Sequence, residues 1–410
     1  MRIVRTAAVV LLCLAALGAQ EAKTFSEARK GFVTKLSKRD KDDSKLDEPA
    51  AGLFTIVKYA GPAGQLQAYL GTTSKAGKQP AMIWITGGFP PGGAGASAWG
   101  DPDLSNEQTA QGYRNAGMVM MYPTVRGSYG NPGVNEAFLG EVDDILAAIE
   151  HLKKVDYVDP ARIYLGGHST GGTLALLVAA ASDQIKGVFA FGPIDDPANY
   201  GKKNCPYNIT DPTESRLRAP INWLADIKSS TLIIEGERGN SDAFKALQSA
   251  SKNPAIKFIS VKGADHFDYL GAAHPVVAKK LVGGTAAPTA ADIQTAFDEH
   301  QAAGREAADL RALADARRAG HLISSTKTIR FRIVARTKAP LQAAVEASKG
   351  LGFELGQIEA RKDDKGQPYF ALLLKKKQRL GDLAELFANS AKIDALCTKT
   401  ESIYSGWDVE

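Results

Sequence analysis

The sequence is poor in cysteine, with three in 410 residues. Cys13 falls in the first twenty residues, which leaves Cys205 and Cys397. Two cysteines so far apart, in stretches of different character, exclude a disulfide-framed scaffold, and no bridge between them is expected. Long apolar runs are also missing. The longest, from Ala7 to Leu17, is too short to cross a bilayer as a helix, so no stable membrane insertion is expected once it is removed. Charge of one sign is not in excess: 50 Lys and Arg face 45 Asp and Glu, a net +5. The only tight basic run is Lys375-Lys376-Lys377, which reads as a solvated strand end. Without a basic face, nucleic acid is excluded as a partner.

What the sequence does contain begins with its N-terminus. Arg2 and Arg5 precede the apolar run, and small residues follow at Gly18 and Ala19. This is the layout of a secretory signal peptide over residues 1–20, and it places the mature protein outside the cytoplasm, secreted or periplasmic. Residues 21–50 are polar and densely charged and read as a flexible leader. From residue 51 to 283 short apolar strands alternate with helical patterns. The strands are Leu53–Tyr59, Leu66–Leu70, Ala81–Thr86, Met118–Tyr122, Arg162–Leu165, Val188–Phe191, Thr231–Glu235 and Ile256–Val261. That rhythm implies a mostly parallel sheet with helices on both faces. The stretch 193–227 breaks it and reads as an insertion or lid. Residues 284–325 are Ala-rich and read as a helical linker outside any core. From 326 to 410 the pattern is strand, helix, strand, strand, helix, strand, the ferredoxin-like α+β order.

One segment carries chemistry. Gly167-His168-Ser169-Thr170-Gly171 fits G-x-S-x-G, a short motif whose context gives it weight. An apolar strand runs into it and a helix of small residues leaves it, the setting in which a serine hydroxyl is held above a sheet on a sharp elbow. A serine needs a base, and in this arrangement the base follows the last strand. His266, a few residues after Ile256–Val261, is the candidate; His274, before Pro275, is second. The acid that orients the base should follow Thr231–Glu235, in Gly236-Glu237-Arg238-Gly239-Asn240-Ser241-Asp242. Asp242 and Glu237 are the two candidates, with Asp242 preferred. The oxyanion hole should use the amide of Thr170 and one from Gly87-Gly88-Phe89, at Gly88 or Phe89. That glycine-rich loop lacks the Lys-Ser/Thr ending of a P-loop. Tyr200, Tyr207 and Trp223 of the insertion are candidate walls of a substrate pocket.

Three segments carry a resemblance. Arg126-Gly127-Ser128-Tyr129-Gly130, Val158–Ile163 and Gly167–Gly172 are similar to the R-G-S-x-G loop, the strand lead-in and the elbow of prolyl oligopeptidase-like enzymes. Residues 53–282 thus resemble the α/β-hydrolase superfamily, and within it the prolyl oligopeptidase-like and dienelactone hydrolase-like branches. No β-propeller precedes them, and Gly239 stands where the resemblance would place Asp. Residues 326–410, with Gly352-Phe353 and Tyr404-Ser405-Gly406-Trp407, resemble the ribonuclease E regulator B family; its ligand here is open.

The expected function is hydrolysis of an ester or amide through an acyl-enzyme, on a small-molecule or peptide acyl substrate, with neither metal nor organic cofactor. The alternative is a catalytically weak or inactive hydrolase fold that binds, with a C-terminal interaction module. Esterase and peptidase are not separable from sequence.

Overall fold

The computed structural model describes residues 23–49, 51–89, 98–100 and 105–410. The expected signal peptide lies outside them. The described residues divide into two compact units, with the boundary between Ile293 and Gln294.

The first unit is an eight-stranded sheet in the order β1-β2-β4-β3-β5-β6-β7-β8. Its strands are β1 (Phe54–Gly61), β2 (Gly64–Gly71), β3 (Gln79–Ile85), β4 (Val119–Pro123), β5 (Val158–His168), β6 (Gly187–Phe191), β7 (Ser230–Gly236) and β8 (Ile256–Val261). β2 is antiparallel to both β1 and β4. From β4 through β8 all pairs are parallel. The central strands are apolar on both faces because helices cover both: β3, β4 and β6 bury nearly every residue. This is the mostly parallel, doubly covered sheet expected from the alternation, and it is the α/β-hydrolase fold that the resemblance implied.

Before this sheet comes α1 (Phe25–Arg29), then α2 (Gln111–Asn115), α3 (Gly140–Leu152), α4 (Thr170–Ala181), α5 (Gly201–Asn204), α6 (Pro212–Arg218), α7 (Ser241–Ala250) and α8 (Leu270–Val282). α4 is apolar all round and almost wholly buried, which places it in the centre of the unit.

The charged leader is not a flexible tail. Thr24 and Glu27 form a reciprocal capping box that starts α1. Phe25 is fully buried, its ring 5.2 Å from that of Trp223, and its N–H donates to Asp226. Farther on, Lys35 N–H donates to Glu214, Ser37 N–H donates to the Pro206 carbonyl, and Leu36 bridges Tyr207. Every one of these partners lies in the 193–227 insertion. The leader is a strap that holds the insertion down. Its charge density misled because a few spaced anchors, not an apolar stripe, fix it.

The second unit carries β9 (Thr326–Ala335), α10 (Lys338–Ser348), β10 (Glu354–Lys362), β11 (Pro368–Arg379), α11 (Leu383–Thr400) and β12 (Ile403–Val409). The sheet is antiparallel, in the order β10-β11-β9-β12. The expected βαββαβ order holds. Its core includes Phe331, Ile333, Leu372, Leu386, Ile393 and Trp407.

The Ala-rich stretch forms α9 (Ala290–Arg318), and here too the expectation of a non-core linker fails. Ala316 is buried in the second core, and Asp309 is buried where one of its carboxylate oxygens accepts from Ser390 Oγ at 2.9 Å and Trp407 Nε1 at 2.8 Å. Cys205 and Cys397 are both free and buried. Among the described residues, no helix is long and apolar enough to cross a membrane.

Candidate active site

β5 ends at His168, and Ser169 follows as the N-cap of α4 with φ 56° and ψ −116°. A non-glycine residue in that region is strained by about 1–3 kcal/mol and persists only where its surroundings enforce it. They do so here. Ser169 N–H donates to the Phe191 carbonyl of β6 at 2.8 Å, and α4 begins at the next residue. The turn also brings α4 against β3. A Cβ on Gly171 would lie 2.0 Å from the Ile85 carbonyl oxygen, so no other residue fits. The elbow expected at Ser169 is present.

His266 lies in the loop after β8, and its ring packs on His168 with centroids 4.5 Å apart. The acid beside it is neither sequence candidate. His266 Nδ1 lies 3.1 Å from Oε2 of Glu235, the penultimate residue of β7, which is 1% exposed. Glu235 is held by two backbone N–H groups, Gly236 to Oε1 at 2.7 Å and Asn240 to Oε2 at 2.9 Å. Asp242 instead sits fully exposed in the first turn of α7, 4.0 Å from Lys245. Glu237 accepts from Gly263 N–H at 3.0 Å and does not reach the imidazole.

The glycine that looked like a missing aspartate has a steric explanation. A Cβ on Gly239 would lie 2.3 Å from Glu235 Oε1 and 3.0 Å from the His266 Cα. The carboxylate comes from the strand end on a longer side chain, and it fills the space an Asp at 239 would need. A signal was available in the sequence: Glu235 is the one charged residue ending the buried run Thr231–Ile234, at the C-terminal end of a parallel strand, where such folds place their chemistry.

The oxyanion candidates divide. Thr170 is buried at the start of α4, and its hydroxyl donates to the Gly88 carbonyl at 2.5 Å. That bond ties the β3 loop to the elbow and leaves the Thr170 amide at the N-terminus of α4. Gly88 has φ +101°, a conformation that favours glycine. The Phe89 ring is partly exposed and packs edge-on against Tyr200 at 4.9 Å.

Of the three proposed wall residues, only Tyr200 is at the site. Its ring packs against those of Phe89 and Phe138, which also meet each other edge-on at 6.2 Å. Its hydroxyl is shut from solvent beside the hydroxyls of Ser169 and Thr173, with no well-aligned hydrogen bond of its own. Burial pushes that phenol up to about 12. Tyr207 and Trp223 are core residues instead, each 2% exposed. Arg218 stacks over Tyr207 at 4.0 Å, and Arg216 over Trp223 at 4.1 Å. The strap covers both, which is why the three aromatic residues of the insertion yield one wall residue and not three.

His274 does not take the base position. It is buried inside α8, with Nδ1 2.7 Å from Glu107.

Residues 104–272 match the model of the prolyl oligopeptidase family. Residues 306–409 match that of the regulator of ribonuclease activity B. No curated protein sequence matches the chain. Among solved structures, puromycin hydrolase is similar at 16% identity over 60% of this chain and 42% of its own, with a TM-score of 0.46. The 2,6-dihydroxy-pseudo-oxynicotine hydrolase is similar at 17% identity over 58% and 72%, TM-score 0.44. The acylaminoacyl peptidase of Pyrococcus horikoshii is similar at 15% identity over 58% and 43%, TM-score 0.45. The chain spans less than half the length of two of these three. By these two family matches the chain carries an α/β-hydrolase domain of the prolyl oligopeptidase family, followed by a domain of the regulator of ribonuclease activity B family.

Proposed function

We propose that the first unit is a serine hydrolase that cleaves an ester or amide through an acyl-enzyme. The observation that carries this is the part-buried Glu235–His266 pair, its imidazole packed on the ring of His168, the residue before the strained Ser169 elbow. In this reading Ser169 Oγ attacks the acyl carbon while His266 Nε2 takes its proton. Glu235 holds Nδ1–H, which fixes the tautomer and stabilises the imidazolium. The Thr170 amide, at the positive end of α4, and an amide of the Gly88–Phe89 loop donate to the oxyanion. His266 then returns the proton to the leaving group, and a water repeats the sequence to release the acid.

The aromatic wall of Phe89, Phe138 and Tyr200 favours an apolar acyl group or side chain beside Ser169. A small-molecule ester and a short peptide both satisfy this. The rival reading, a catalytically weak or inactive binding protein, drew on Gly239 standing where Asp is usual; the contact of Glu235 with His266 weighs against it. Arg2, Arg5 and the run Ala7–Leu17 support export, and in that setting the second unit would bind a ligand outside the cytoplasm.

The test is labelling by a fluorophosphonate probe together with turnover of p-nitrophenyl esters. Wild type should be labelled and Ser169→Ala should not. Glu235→Gln should lower kcat by roughly 10³–10⁴-fold, while Asp242→Asn and Glu237→Gln stay within about threefold. A folded wild type that takes no label refutes the reading.

A further inference from the structure

The proposed chemistry uses neither of two buried histidines, His274 and His168, and the second adjoins the serine. His168, the last residue of β5, is 1% exposed. Its Nε2 lies 2.9 Å from the main-chain carbonyl oxygen of His266. A carbonyl oxygen only accepts, so Nε2 carries the proton and Nδ1 presents a lone pair. That lone pair meets Gln108 Nε2 at 2.7 Å, and the same amide nitrogen donates to Asn106 Oδ1 at 2.7 Å. The two contacts specify one neutral tautomer, because a second proton on Nδ1 would face the Gln108 N–H group. Burial acts in the same direction and holds the His168 pKa down at about 3. The ring also packs on the His266 ring, with Phe267 closing over both at 5.4 and 4.7 Å.

We propose that His168 is a positioning residue that fixes the backbone of the base-bearing loop against the nucleophile elbow, with Gln108 setting the tautomer that makes the bond. The proposal rests on the reading of Ser169 and His266 given above. His168 is the peptide neighbour of Ser169, so a bond from its ring to the His266 carbonyl ties the loop after β8 directly to the end of β5. Glu235 grips a different atom. It orients the imidazole through Nδ1, whereas His168 holds the main chain from which that imidazole hangs. Together they leave the base little freedom to drift from the serine, and a misplacement of about 1 Å costs roughly 100-fold in rate. Because His168 stays neutral, it sets no charge beside His266 when His266 takes up its proton.

The experiment uses the full-length protein, a p-nitrophenyl ester and a fluorophosphonate probe. In His168→Phe the ring remains but the bond is lost, and kcat should fall roughly 10–100-fold with KM within about twofold. His168→Gln, whose carboxamide N–H reaches the same carbonyl, should recover to within about threefold of wild type. Gln108→Leu, which no longer specifies the tautomer, should fall between the two. Near-ultraviolet circular dichroism checks folding. A folded His168→Phe with wild-type kcat overturns the proposal, as does a folded His168→Gln no better than His168→Phe. If His168→Phe does not fold, the ordering of His168→Gln and Gln108→Leu decides: Gln108→Leu equal to wild type overturns it. A wild type that takes no probe refutes the serine-hydrolase reading and this proposal with it, while a labelled wild type with an unimpaired His168→Phe refutes this proposal alone.

Discussion

Glu141 gives a pH dependence whose sign and size follow from its surroundings. It lies in the first turn of α3 with no exposed surface. Its Oε1 accepts from Glu136 N–H at 2.7 Å, and its Oε2 has no partner. Its charged neighbours are Asp144 and Arg126, and Arg126 is already bonded to Asp144 and Glu136. Burial first, and the Asp144 charge second, raise the Glu141 pKa to about 7 from the ordinary 4.5. Between those values the folded protein holds a proton that the unfolded chain has lost. Stability therefore falls as pH rises through this window, and the loss is complete above about pH 7. The gap is worth about 3 kcal/mol at roughly 1.4 kcal/mol per pH unit. Glu141→Gln keeps the acceptor for Glu136 N–H and removes the ionisation. It should match wild type at pH 4.5 and exceed it by about 3 kcal/mol at pH 8. Urea unfolding at four pH values measures this. A Trp407→Phe background leaves Trp84, Trp99 and Trp223 to report on the first unit. Parallel stability curves for Glu141→Gln and its parent from pH 4.5 to 8 would refute the reasoning.

Three further outcomes are expected. Gly239→Asp should abolish turnover by displacing Glu235, and adding Glu235→Ala to it should restore part of the activity, since the new carboxylate then has room beside His266; ester hydrolysis by the single and double variants checks this. Phe25→Ala should destabilise the first unit by about 3–5 kcal/mol and expose the 193–227 insertion to limited proteolysis before the rest of the domain; an unchanged cleavage pattern would mean the strap does not hold the insertion. Asp309→Ala strands the Trp407 donor, while Ser390 keeps the Tyr404 hydroxyl as a partner, and should cost the second unit about 1–3 kcal/mol, read from the thermal transition followed by Trp407 fluorescence.

Much of the fold was legible because it is written in local periodicity. The apolar runs of β3, β4, β6 and β7 are continuous because both faces are covered, and the βαββαβ order of the second unit follows from alternation and turns. The elbow at Ser169 was legible for a similar reason, since the strand, the glycines and the small-residue helix lie within about twenty residues. Two expectations failed where local character and final environment part company. The leader carries the charge of a solvated tail, yet Phe25, Lys35 and Ser37 find partners roughly 170 to 200 residues away. α9 has the composition of a spacer, yet Asp309 meets donors 81 and 98 residues later.

The amino-acid sequence by itself determined the two folds, the elbow and the loop that carries His266, because each depends on contacts between chain neighbours or on a repeat in hydrophobicity. Only the tertiary structure showed which carboxylate lies against His266. Loop spacing pointed to Asp242 and Glu237, but which carboxylate reaches an imidazole 31 residues away depends on how β7 and β8 lie side by side and on the space left at Gly239. Tertiary structure likewise separated Tyr200, beside the serine, from Tyr207 and Trp223, buried under the strap: burial is a property of what covers a residue, and here the cover comes from the other end of the domain.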